Sequence, residues 1–205
     1  MADAVAFTAA EVAFVLREPV KTVKKALDEG PVRAKLVKKA GSAVRAVEWA
    51  DVLYLFAVRT LRDELTPKAR TEFYHALKRV SVERAHEVRF GRLSVAIDDL
   101  KAEVRKRARE LATLAEKVEF RQNGEAILKG TDVEVYRVAA LLGGGMTPEQ
   151  ICEDYPSLTQ AAVATAKAYA DAHPKAGRPY PSSTVKRAIK GAGLETLDEV
   201  LDEEK

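Results

Sequence analysis

The sequence predicts a mainly α-helical protein with small β-hairpins, and three observations carry that prediction. Apolar residues return every three or four positions through several long stretches, the period of a helix that buries one face. Helix-start signals recur, with Thr8 three residues before Glu11, Thr66 directly before Pro67, and Thr147 three residues before Gln150. Alternating apolar and polar residues are confined to short runs broken by Gly41, Gly91 or Asn123-Gly124.

The first helix starts at Thr8, where a capping box with Glu11 and a staple of Phe7 with Val12 are expected. Val12, Ala13 and Leu16 form its buried side. Pro19 breaks it, because the residue before a proline disfavours helical backbone. A second helix, "PVKTVKKALDEG", sets Val20, Val23 and Leu27 on one face and Lys21, Thr22, Lys24, Lys25 and Asp28 on the other. Gly30-Pro31 ends it. Val32, Ala34 and Leu36 then alternate with Arg33 and Lys35, "KKAGS" supplies a turn, and Val44 and Val47 lie on the return. The helix expected in "EWADVLYLFAVRTLRDEL" buries Val52, Leu53, Leu55, Phe56 and Leu61. Two short helices, a basic hairpin and a closing helix make a winged helix-turn-helix over residues 1–65.

Residues 66–120 read as connecting helices and strand. A helix from Pro67 puts Phe73, Ala76, Leu77 and Val80 inward, and "HEVRFGRLSVAID" reads as strand with a bulge or tight turn at Gly91. Residues 98–117 form a long charged helix with Leu100, Val104, Ala108, Leu111 and Ala115 in one stripe. A hairpin follows in "VEFRQNGEAILKG", with Asn123-Gly124 signalling a type I′ turn. The module 121–174 is trihelical and of helix-turn-helix type. Glycines end its first helix, Thr147 and Gln150 cap its second with Met146 and Ile151 as staple, and Ser157 with Gln160 cap its alanine-rich third. That third helix favours close packing or dimerisation over DNA reading. Residues 175–205 are a Pro-rich linker and a partner-binding tail, with two short amphipathic helices or none until a partner is met.

Charge narrows the function classes. The net charge is only +3, yet residues 17–45 hold nine Lys or Arg against three acids. Residues 175–190 hold five basic residues and no acid, and residues 191–205 hold six acids and one Lys. Nothing approaches a membrane-spanning apolar run, and Asp3 and Glu11 stand where an export signal would carry Lys or Arg. The expectation is a cytoplasmic protein with no membrane association. The single cysteine, Cys152, rules out an internal disulfide and a cysteine-based zinc site. His75, His86 and His173 lack ligand spacing, and "GGGM" is no phosphate loop. The chain is therefore expected to be no enzyme and to need no cofactor or metal.

The candidate residues are basic. A helix in the major groove needs cations for phosphates and polar groups for base edges. Arg17, Lys21, Thr22, Lys24 and Lys25 on the first helix pair, with Arg33, Lys35, Lys38, Lys39 and Arg45 along the hairpin, form the expected DNA-binding set. The alternative is a solvated basic face on a protein-binding winged helix. In the tail, Lys175, Arg178, Tyr180, Lys186 and Arg187 are the candidates for a protein partner, because a mobile Arg or Lys can pair with the carboxylates of an acidic nuclease pocket. A solvated linker is the alternative there.

Residues 127–174 resemble domain-of-unknown-function family 433. The carriers are "KGTDVEVYRV", the Gly-Met-Thr-Pro-Glu-Gln turn and "EDYPSLT"; Asp132 and Glu134 depart from the family's usual Arg and nearby Pro. "FTAAEVAFVLREPVKTVKKALDEG" is similar to MerR-like winged helices. The first resemblance implies a trihelical fold and a VapB-type antitoxin partnered by a PIN-like ribonuclease toxin. The expected function is that of a type II antitoxin. It binds operator DNA as a homodimer, represses its own transcription and neutralises the toxin, with the tail candidates as the toxin-binding residues. A stand-alone dimeric transcriptional regulator and a protein-interaction adaptor are the alternatives.

Overall fold

Thr8 and Glu11 cap the first helix reciprocally: the Glu11 N–H donates to Thr8 Oγ1 at 3.3 Å and the Thr8 N–H to Glu11 Oε2 at 2.8 Å. The computed structural model describes residues 6–39, 42–175 and 180–191. It is mainly helical, with nine helices among the described residues and small antiparallel β-hairpins. The chain forms two compact units, Met1–Ala112 and Thr113–Lys205.

In the first unit, β1 (Phe7–Thr8) leads into α1 (Ala9–Leu16), which buries Val12, Val15 and Leu16. Arg17 ends it with left-handed backbone at φ 53°, and Pro19 caps α2 (Val20–Glu29). Val23 and Leu27 are buried, while Val20 is half-exposed at the first turn. β2 (Lys35–Lys39) and β3 (Ser42–Val47) form a hairpin, and β1 extends it in the order β1-β3-β2. Lys35 faces Ala46, Leu36 faces Arg45 and Val37 faces Val44 across the ladder. The alternation expected from Val32 does not hold, because residues 32–34 precede the strand and are irregular. Val32 is buried, but Leu36 is 75 % exposed.

Glu48 caps α3 (Trp49–Thr60) by donating its N–H to Asp51 Oδ2 at 3.0 Å. The helix stops before Leu61, which is half-exposed, and Leu65 is the buried residue of the following turn. Thr66 caps α4 (Pro67–Arg79) as expected, and Phe73, Tyr74 and Leu77 are its buried side. Val80 is not inward: the helix ends at Arg79, Val80 takes extended backbone, and it is 39 % exposed. The expected single strand is a hairpin of β4 (Glu87–Phe90) and β5 (Leu93–Ala96) turned at Gly91-Arg92. Gly91 has φ 58°, so of the two alternatives there the tight turn is the one formed. Tyr54, Phe73, Tyr74 and Phe90 join in ring contacts of 4.9 to 6.1 Å, linking α3, α4 and this hairpin. α5 (Asp98–Glu116) buries Val104 and Leu111, whereas Ala115 is exposed.

In the second unit, β6 (Val118–Phe120) and β7 (Ala126–Leu128) pair across a five-residue loop. The type I′ expectation fails there: of Asn123 and Gly124 only the glycine has positive φ, at 81°, and that turn needs both. α6 (Val135–Gly143), α7 (Pro148–Asp154) and α8 (Gln160–Ala172) enclose a core that includes Val135, Val138, Leu141, Ile151, Val163 and Ala166. The Thr147–Gln150 box forms, and Met146 and Ile151 are both buried. The cap of α8 is Thr159 rather than Ser157, because Leu158 turns into the core and leaves Ser157 in the preceding turn. Ala166 and Ala172 are fully buried, so part of the alanine stripe packs within this unit. α9 (Val185–Gly191) is the last described element. Among the described residues no helix is long and apolar enough to cross a membrane.

Candidate functional site

Lys21, Thr22, Lys24, Lys25 and Asp28 are all exposed on α2, spaced along one stripe. Lys21 and Lys24 have no ion pair within 4.0 Å among the described residues, whereas Lys25 meets Glu29 at 3.9 Å with both side chains about 70 % exposed. At the end of this stripe Arg45 Nη1 donates to Asp28 Oδ1 at 2.7 Å. Arg45 stands opposite Leu36 on β2, and residues two apart share a hairpin face, so Leu36, Lys38 and Arg45 lie together. The Arg45–Asp28 bond therefore brings the cationic face of the hairpin onto the side of the unit that α2 exposes. Lys38 is exposed and has no ion pair among the described residues.

The other candidates are engaged. Lys35 Nζ donates to Glu48 at 2.5 Å on the opposite hairpin face, and Arg33 donates to the Gly30 carbonyl at 3.2 Å. Arg17 lies 4.0 Å from Glu110. The Lys39 side chain lies outside the described residues. These partners are solvent-exposed, and such pairs contribute at most about 1 kcal/mol, so a phosphate can compete for each cation. Leu36 was missed because alternation assigned it inward; it is an apolar side chain exposed between cations. The turn into α2 is braced by Arg59 Nε, which donates to Glu18 Oε1 at 2.6 Å.

Beneath the hairpin, a cluster joins α3 to α4. Asp51 is 3 % exposed and accepts from Tyr74 Oη and Lys78 Nζ, both at 3.1 Å. Lys78 also reaches Glu48 at 3.2 Å. Hydrogen bonds from Lys35 and Lys78, with the Lys78 charge, hold the Glu48 carboxyl below its ordinary value.

The tail candidates do not form one free set. Lys175 donates to Tyr180 Oη at 3.1 Å and lies 5.6 Å from the Tyr136 ring centroid. Arg187 is taken up within the unit, with Nε donating to Asp154 Oδ2 at 3.0 Å and Nη2 to the Gln150 carbonyl at 3.2 Å and Glu153 at 3.1 Å. Lys186 is exposed, and Arg178 lies outside the described residues. Burial raises the Asp154 carboxyl, but bonds from Thr184 and Arg187 and the nearby charges outweigh it, and its pKa is lowered. Asp154 and Thr184 were not singled out from the sequence. A shallow cavity of about 730 Å³ in the same unit is lined in part by Thr131, Asp132, Glu134, Arg137 and Tyr180, a mixture of acidic, basic and hydroxyl groups. Cys152 is half-buried against the core. Among the described residues no three His, Cys, Asp or Glu side chains are grouped to hold a metal ion.

Residues 120–170 match the family described as "Protein of unknown function (DUF433)". They include α6, α7 and most of α8. The chain is 35 % identical over 131 residues to the uncharacterized protein y4eO of Sinorhizobium fredii (strain NBRC 101917 / NGR234). That match covers 60 % of this chain and 55 % of y4eO, so the chain spans about half the length of the curated relative it matches. A crystal structure of Rv2018 from Mycobacterium tuberculosis is similar over 78 % of this chain and 95 % of that one, at 15 % identity and a TM-score of 0.25.

Proposed function

We propose that the protein is a DNA-binding antitoxin that represses its own operon and neutralises a PIN-like ribonuclease toxin. On this reading the first unit contains a winged helix-turn-helix, with α2 as the recognition helix and β2–β3 as the wing. The observation that carries it is the Arg45–Asp28 bond, which joins the cationic face of the hairpin to the exposed stripe of α2 at Asp28. Phosphate neutralisation supplies most of the affinity of such a surface, and Thr22 among the lysines can reach base edges. The second unit, which carries the DUF433 match, is the trihelical module through which two copies associate. Two copies address half-sites about one DNA turn apart.

A stand-alone regulator is the second reading. It is favoured by the Arg187 contacts, since a tail bound to its own module is less available to a toxin.

The test is recovery of the tagged protein from its native host, followed by titration with duplex from its own promoter. Co-recovery of a small nuclease that becomes active when freed, with salt-dependent binding to that duplex in preference to unrelated DNA, is the expected result. A bare homodimer with the same DNA preference selects the second reading. Loss of all DNA binding at moderate salt without sequence preference removes both and leaves an adaptor.

A further inference from the structure

We propose that the C-terminal end of α7 is a docking site for a Thr-x-x-Arg turn, filled in cis by Thr184 and Arg187, and that this latch withholds Arg187 from other partners. The site is built around one buried acid. The Asp154 side chain is 5 % exposed, and its Oδ2 accepts from Thr184 Oγ1 at 2.7 Å and from Arg187 Nε at 3.0 Å. Thr184 Oγ1 also accepts the Arg187 N–H at 3.3 Å, so the three-residue spacing caps α9 and aims both side chains at the same carboxylate. The Gln150 carbonyl and Glu153 take the other end of the guanidinium. A planar fork with several acceptors is held in one geometry, which a lysine would not reproduce.

A separate contact holds the same segment. At Gly144 a Cβ would stand 2.1 Å from the Ser182 carbonyl oxygen and 2.7 Å from its Cβ, so the backbone of the tail rests on that glycine. Arg137 reaches the Ser183 carbonyl at 3.4 Å. The segment is thus held from α6, from the turn after it and from α7. On the outer side of α9, Val185 and Ile189 are 71 % and 41 % exposed. The Arg187 guanidinium cannot fill this cradle and a second carboxylate pocket at once. Where that second pocket belongs to a toxin, the consequence rests on the antitoxin reading; the latch itself does not.

Amide hydrogen exchange on the full-length protein tests it, with no DNA or partner present. Gly144→Ala changes no charge and suits the backbone there, at φ −81°, yet has no room against Ser182. Arg187→Gln lies in the tail and leaves the core of the unit untouched. Each is expected to raise exchange across 184–191 by about tenfold or more while the amides of α6 and α8 keep their protection. The proposal is overturned if the wild-type segment already exchanges at the unprotected rate, or if Arg187→Gln leaves its protection unchanged. Should Gly144→Ala also loosen α6, the Arg187→Gln result decides alone. Failure of the latch would leave the DNA and toxin tests standing, and their failure would leave the latch standing.

Discussion

Arg45 donates to Asp28 at 2.7 Å, and this one bond ties a hairpin to the exposed stripe of the helix seventeen residues before it. Both side chains are about half exposed, at 51 % and 58 %. The pair therefore contributes little to stability, about 1 kcal/mol or less. Its consequence is placement: the Arg45 face of the hairpin, which Leu36 and Lys38 share, is held to α2 at Asp28.

Replacing Asp28 with Asn removes an acid from this cationic surface and releases Arg45 to a phosphate. Because that bond holds the hairpin to α2, affinity for duplex DNA is nonetheless expected to fall several-fold at low salt, with folding stability changed by less than about 0.5 kcal/mol. Fluorescence anisotropy beside a urea melt measures both. A rise in affinity would mean that the acid only opposes phosphate and that the pair does not position the hairpin.

The double substitution Lys21→Ala, Lys24→Ala removes the two stripe cations that have no ion pair among the described residues. DNA affinity should drop, and the slope of log affinity against log salt should flatten by about 2, near 0.9 for each lost phosphate contact. A titration between low and moderate salt reads the slope directly. An unchanged slope would remove α2 from the interface.

Arg17 holds left-handed backbone at φ 53°, a region that disfavours any side chain with a Cβ. Arg17→Gly is expected to stabilise the first unit by about 1 kcal/mol. The same change should weaken DNA binding through the lost charge. Denaturant melts and binding isotherms on one variant would show the two effects moving in opposite directions.

Glu48 accepts from Lys35 at 2.5 Å and from Lys78 at 3.2 Å, and its carboxyl titrates lower folded than unfolded. A depressed carboxyl contributes stability that is complete above its unfolded value of about 4.5 and is lost as pH falls through the folded value. Glu48→Gln should therefore melt below wild type at neutral pH, and the gap should narrow as the pH falls below about 4.5 and close once it passes the lowered folded value. Thermal scans of both proteins from pH 7 to pH 3 provide the check. A gap that does not change with pH would assign the effect to packing. Comparing the pair is necessary because Glu87, Asp98, Glu103 and Asp154 are lowered as well.

Much of the local structure was legible in the residues. The Thr8–Glu11 and Thr147–Gln150 boxes, the Pro67 start and the exposed cations of α2 all depend on groups within one helical turn, where hydrogen bonding and periodicity act through adjacent residues. Strand phase was less secure. Leu36 pointed outward because the strand begins at Lys35, a boundary that no alternation pattern marks. The Asn123-Gly124 signal located a hairpin but not its turn type, since loop length set by the flanking pairs chooses the conformation.

The contacts on which the proposals rest join distant parts of the chain. Arg45 meets Asp28, Arg187 meets Asp154 thirty-three residues earlier, and Ser182 rests on Gly144. In the sequence Arg187 was one of five basic residues of an acid-free stretch, and Gly144 one of three glycines ending a helix. Composition can say that a cation or a glycine is available. Whether it faces solvent, a partner or its own chain depends on which surfaces the packed cores bring within 3 to 4 Å, and that is a property of the folded units.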